Sequence, residues 1–149
     1  MLFSYRSKVA EGETGVDDIT TASDMRKLVW SEELQEIAQL WANQCILGHD
    51  VNRDTLAGGQ VRQNMEPWDV NVSTMTEVVK YWYNEVTEVT AGNLALEFEF
   101  SGSTGHFTQL AWARTGMLGC GWTQYVDEKE AHPFISLLVC NYYTTGTQL

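Results

Sequence analysis

The sequence lacks long apolar runs, closely spaced cysteines and enough basic residues to balance its acidic ones. No segment approaches 18 consecutive apolar residues, so no membrane-spanning helix is predicted. None of the three cysteines (Cys45, Cys120 and Cys140) forms a Cys-x-x-Cys pair, which disfavours a structural zinc or thioredoxin-like site. Only 9 Lys and Arg oppose 20 Asp and Glu, giving a formal charge of −11. Because that charge repels phosphate backbones, nucleic acid is not an expected partner.

What the chain does contain is enough apolar material for a packed core. It is 44% hydrophobic and holds six tryptophans in 149 residues, a length that buries roughly 68–70% of the unfolded surface. We therefore expect one domain over residues 1–149. The first six residues lack the apolar core of a signal peptide, so any export signal is expected to lie outside this sequence.

Periodicity and capping residues predict the helices. Three are expected: residues 2–11, an amphipathic helix from the N-cap Ser31 to Cys45, and a helix from the Thr74–Glu77 capping box to Thr90.

Strand-like runs follow a different pattern. They occupy residues 60–65, 116–126 and 134–143, and the last two flank a polar turn. Such a hairpin can bring Cys120 and Cys140 within bridging distance, which leaves Cys45 over. This order of elements predicts an α+β fold with a sheet between helical layers.

The most informative segment is Gly105–Thr115. From its residues alone it is a short helix or turn with Phe107, Leu110 and Ala111 facing inward and His106 at its exposed start. That pattern also fits a core segment with an incidental surface histidine.

The same segment resembles the first signature of the CAP superfamily, and residues 137–142 resemble the second. Residues 41–45 and 48–50 are similar to the antigen-five branch of venoms and saliva. The resemblance implies an α-β-α sandwich with a small antiparallel sheet. It also implies a domain without the usual N-terminal cysteine-bearing extension, because the cysteines expected to pair with Cys45 are absent.

The resemblance further implies a cleft formed by His49, Gln63, Glu85 and His106. His49, His106 and Glu85 would be candidate zinc ligands, since imidazole and carboxylate suit that ion. Gln63 replaces the glutamate that is frequent in the family, so metal binding is expected to be weaker.

Three functions remain open. The first is a secreted, non-enzymatic protein that binds a small hydrophobic ligand such as a fatty acid, or an extracellular protein. Four side chains could line an apolar channel, although each also fits an ordinary core: Val79, Trp82, Tyr83 and Val86. The alternatives are a protein-interaction scaffold with a vestigial cleft and a metal-dependent hydrolase.

Three further features bear on these alternatives. The hydroxyls of Ser103 and Thr108 show no base in a readable arrangement, which counts against the hydrolase. The loop at residues 98–104 resembles a sterol-binding motif with one aromatic residue out of register. Asn71 begins a glycosylation sequon, which fits secretion.

Overall fold

Four helices and four strands make up the part of the chain that the structure describes. This computed structural model describes residues 1–17, 19, 21–22, 24–89 and 103–144. The helices are α1 (Leu2–Ala10), α2 (Glu32–Ala42), α3 (Met75–Asn84) and α4 (Gly105–Ala111), with a 3-10 turn at Glu85–Glu88. The strands are β1 (Val29–Trp30), β2 (Val61–Asp69), β3 (Thr115–Val126) and β4 (Phe134–Thr144).

The two long helices begin where their capping residues predict. The Ser31 hydroxyl accepts a hydrogen bond from the Leu34 N–H, and Thr74 and Glu77 form a reciprocal capping box. Both helices end earlier than expected. Cys45, the predicted end of α2, lies beyond it at a φ of 57°, which an α-helix cannot continue.

The sheet has the order β1-β3-β4-β2. Strands β3 and β4 form the predicted hairpin, and the Cys120–Cys140 disulfide joins directly opposite residues. The sheet is mixed and not wholly antiparallel, because the two-residue strand β1 pairs with β3 in parallel. Strand β2 runs four residues beyond its predicted end at Met65. It passes through Pro67, which an edge strand tolerates because one side forms no ladder.

Helices cover both faces of the sheet, so the predicted sandwich is confirmed. Alternate residues of β4 divide between two cores. Leu137 and Val139 pack with Ala38 and Ala42 of α2. On the other face, Leu138, Cys140 and Tyr142 pack with α3 and α4. The alternation follows from the two-residue period of a strand. None of the helices in the described ranges has the length and apolar character needed to cross a membrane.

A buried arginine fixes α1 against α4 and β3. The Arg6 guanidinium is 3% exposed and donates to four backbone carbonyls at 2.8–3.1 Å. Burial lowers the pKa of Arg6 to about 10, with partial opposition from Tyr142. The side chain remains charged at neutral pH, so its hydrogen bonds are charge-assisted.

Candidate functional site

A cavity of about 360 Å³ lies between the loop after α2, strand β2 and helix α4. Both predicted cleft histidines line it, together with Gln63. Six of its polar lining residues are His49, Arg53, Arg62, Gln63, His106 and Gln109. The fold therefore brings together residues separated by up to 60 positions, which spacing alone could not show.

His49 is held by a chain of side-chain amides. Its Nδ1 lies 3.0 Å from Gln63 Oε1, which also accepts the Asp50 N–H at 3.1 Å. Gln63 Nε2 donates to Asn141 Oδ1 at 2.9 Å, and the Asn141 amide donates to the Leu34 carbonyl. Because these hydrogen bonds fix Gln63 Oε1 as the acceptor, His49 carries its proton on Nδ1. Its Nε2 lone pair is left for a ligand.

Glu85 holds His106 from behind the cavity wall. Its Oε1 lies 2.7 Å from His106 Nδ1, while Oε2 accepts the N–H groups of His106 and Phe107 at 2.9 and 3.0 Å. The carboxylate is 8% exposed. Glu85 thus positions the imidazole and satisfies two backbone donors at the start of α4, which have no intrahelical partners.

His106 also contacts Trp82, Asn64 and Glu66. Its ring stacks on Trp82 with centroids 5.4 Å apart, and Asn64 donates to its backbone carbonyl at 3.0 Å. Its Nε2 lies 3.9 Å from Glu66 Oε2. Sequence reasoning did not identify Glu66, because its place beside His106 depends on how β2 and α4 pack.

The carboxylates around His106 favour its charged form. Burial lowers the pKa of His106, but the hydrogen bond and charge of Glu85, the charge of Glu66 and the Met65 backbone outweigh it. The pKa of His106 is therefore raised from 6.5. Burial also raises the pKa of Glu66, against the lowering effect of His106. A proton on His106 competes with any metal ion for Nε2.

Within the described ranges, no three His, Cys, Asp or Glu side chains converge as a metal-binding group.

The remaining predicted residues that the structure describes lie outside the cavity. The proposed channel residues are 0–8% exposed and pack in the two cores beneath α3: Val79, Trp82, Tyr83 and Val86. Asn71 is exposed, as a glycosylation site requires. Residues 98–102 of the sterol-like loop lie outside the described residues.

Comparisons with known proteins agree with the fold. The CAP family, described as "Cysteine-rich secretory protein family", matches residues 4–142. Venom allergen 5 of Polistes fuscatus is 39% identical, covering 97% of this chain and 71% of that protein. Venom allergen 5 of Dolichovespula arenaria is 37% identical, covering 97% and 72%. The chain therefore belongs to the CAP family.

Within that family, the chain is venom allergen-like, of the antigen-five type. Among solved structures, venom allergen-like protein 4 of Schistosoma mansoni aligns with a TM-score of 0.74 at 20% identity, covering 98% of this chain and 84% of that one. NaASP2, solved with Zn²⁺, aligns with a TM-score of 0.68 at 23% identity, covering 95% and 74%. At these identities the likeness concerns the fold alone.

Proposed function

We propose that this chain is a secreted, non-enzymatic binding protein whose ligand occupies the cavity between His49 and His106. The observation that carries the proposal is the orientation of the two imidazoles. Each has Nδ1 engaged by a protein acceptor, so His49 Nε2 is left as a ring atom for a ligand, while His106 Nε2 lies 3.9 Å from Glu66 Oε2. A concave site with a few convergent, oriented polar groups is the usual form of a small-molecule site.

Catalysis finds little support at the same site. The Glu85–His106 pair resembles the orienting half of a hydrolase triad, which also needs a nucleophile near His106 Nε2. Thr108 supplies the one hydroxyl from a serine or threonine among the described lining residues, and it donates to the Gly105 carbonyl at 3.0 Å. The Glu66 carboxylate lies 3.9 Å from His106 Nε2, which is an ion-pair distance and not a hydrogen-bond distance.

Zinc remains a prediction for this cleft. His49 and His106 would supply Nε2 atoms, and Glu66 is better placed than Glu85, because Glu85 already accepts three hydrogen bonds. The described side chains do not form a complete zinc site, since no three of them converge. NaASP2 was solved with Zn²⁺, which supports testing the ion here. Binding should weaken at low pH as the imidazoles take up protons.

A hydrophobic ligand beside α3 also remains a prediction. The four candidate channel residues now fill core space, so a lipid there would have to displace packed side chains. An extracellular protein partner and a scaffold with a vestigial cleft stay as alternatives.

Native mass spectrometry of the secreted protein, combined with turnover assays on peptide and ester substrates, tests the proposal. We expect a retained ligand or stoichiometric zinc uptake, lost in a His49→Ala, His106→Ala variant, and no turnover. His132→Ala is the matched control, because that imidazole is 72% exposed and pairs with Asp69 outside the cavity. Turnover that disappears in His106→Ala but persists in His132→Ala would contradict the proposal. A protein that retains and takes up nothing would favour the scaffold.

A further inference from the structure

The cavity wall is cationic on a protein whose net charge is −11. Arg53 and Arg62 both line it, and none of the described side chains in the wall is acidic. In the ranges that the structure describes, neither guanidinium lies within 4 Å of a carboxylate. With 20 acidic residues available, two arginines without a carboxylate partner on one wall favour an external anion.

The two arginines are held in different ways. Arg53 donates through Nε to the Val61 carbonyl at 2.6 Å and through Nη1 to the Asp50 carbonyl. Its charge is fixed at the wall by the backbone. The Arg62 guanidinium lies over the Trp112 ring, 5.2 Å from the centroid. Stacking uses the flat face of a guanidinium and leaves its N–H edge to bind a carboxylate with two hydrogen bonds.

Gln109 supplies an independent observation. Its side chain is 9% exposed and lines the cavity, and its Nε2 has no hydrogen-bond partner among the described residues. A buried amide without a partner is unfavourable, and such groups in native proteins have a specific reason. An acceptor atom of a ligand in this cavity would accept a hydrogen bond from Gln109 Nε2 and so remove the cost of burying it without a partner.

We propose that the cavity binds the carboxylate of a small, singly charged organic acid. Arg62 forms the main ion pair, Gln109 donates a neutral hydrogen bond, and Trp112 contacts the flat apolar body of the acid. The inference rests on the proposed function, because it requires the cavity to be the ligand site.

The charges around the cavity favour a ligand with a single negative charge. Glu66 lies near His106 Nε2 and Glu85 near its Nδ1, and the whole chain is acidic, so each further negative charge on a ligand meets additional repulsion. The volume of about 360 Å³ is near the lower end of the range for small-molecule sites. A ring-sized acid fits these limits better than a polyanion.

Three matched probes test the charge requirement: benzoate, the neutral benzamide and the dianionic phenyl phosphate. Their dissociation constants would be measured by NMR titration of the indole N–H resonances, with EDTA present to exclude metal. We expect benzoate to bind about tenfold more tightly than either of the others. Benzamide has no negative charge to pair with the arginines, and the second negative charge of phenyl phosphate is repelled by the acidic surroundings. Equal binding of benzamide, or tighter binding of phenyl phosphate, would overturn the inference.

Variants test the residues. Arg62→Gln should weaken benzoate binding about tenfold, whereas the control Arg114→Gln, at an exposed arginine outside the wall, should leave it unchanged. Gln109→Met should also weaken benzoate binding without lowering the melting temperature, because it removes a buried NH₂ group that has no hydrogen-bond partner among the described residues. Equal losses in Arg62→Gln and Arg114→Gln would show only general charge attraction and would refute the site. Unchanged binding in Gln109→Met would refute the role of Gln109.

The two proposals fail in different ways. Zinc uptake or a retained neutral ligand, together with no benzoate binding, would refute the carboxylate inference and leave the proposed function standing. Arg62-dependent benzoate binding alongside His106-dependent turnover would refute the non-enzymatic function and leave carboxylate recognition intact.

Discussion

Replacement of Glu85 by glutamine tests whether one buried carboxylate organises the cleft. The change keeps the size of the side chain but removes its charge. In the native site, Oε2 accepts two backbone N–H groups and Oε1 faces His106 Nδ1. A glutamine has one acceptor oxygen, so it can keep the two backbone bonds only if its NH₂ faces the imidazole. His106 would then have to become the neutral tautomer protonated on Nε2.

The magnitude follows from the three bonds. A hydrogen bond to a charged group contributes about 1.5–3 kcal/mol and a neutral one about 0.5–1.5 kcal/mol, so each converted bond loses roughly 1 kcal/mol. We expect Glu85→Gln to lower the free energy of unfolding by about 3 kcal/mol near pH 6. For a chain of this size that corresponds to a fall of roughly 6–12 °C in melting temperature.

The loss should depend on pH in a defined direction. The pKa of His106 is raised in the folded protein, so its imidazolium contributes stability that is fully present below the unfolded pKa of about 6.5. That contribution disappears as the pH rises through the higher folded value. The difference between wild type and Glu85→Gln should therefore shrink to about 2 kcal/mol at pH 9, where the two backbone bonds remain.

Urea unfolding at pH 6 and pH 9, with an NMR titration of His106, would measure both effects. Glu88→Gln is the matched control, because Glu88 lies in the same 3-10 turn and is exposed. The pKa of His106 should fall in Glu85→Gln and stay unchanged in Glu88→Gln. An unchanged His106 pKa, or the same loss of stability at both pH values, would refute the assigned role of Glu85.

Three further predictions concern the scaffold. Arg6→Leu should lower the free energy of unfolding by about 3–5 kcal/mol, measured in urea, because it leaves buried carbonyls without their charged donor; a loss below about 1 kcal/mol would contradict this. Gly121→Ala should destabilise the fold and Gly48→Ala should not. An added Cβ at Gly121 would meet the α2 backbone, with one carbonyl carbon at 2.8 Å, whereas one at Gly48 meets nothing within 4 Å; equal melting temperatures would refute the close packing. Replacing Cys120 and Cys140 by serine should cost about 3 kcal/mol of stability, and unfolding curves unaffected by the change would show that the bridge does not constrain the unfolded chain.

Local interactions made much of the fold predictable. Ser31, Thr74 and Glu77 act within three residues of the helix starts that they cap, so their effect can be predicted from sequence. The β3–β4 hairpin, which carries Cys120 opposite Cys140, likewise depends on alternation and a short turn. Resemblance to the CAP family, and not spacing, selected His49 and His106 for one cleft.

Only the tertiary structure decided what surrounds those histidines. Glu85 was predicted as a metal ligand, yet its described contacts are with His106 and the start of α4. Glu66 meets His106 across 40 positions, and Gln109 reaches the same cavity as Arg62 from a different element. Such contacts have no sequence period, because they depend on how β2, α3 and α4 pack together. The parallel pairing of the two-residue strand β1 was missed for the same reason: it is stabilised by its partner β3, and so short a segment has too little pattern to be recognised by itself.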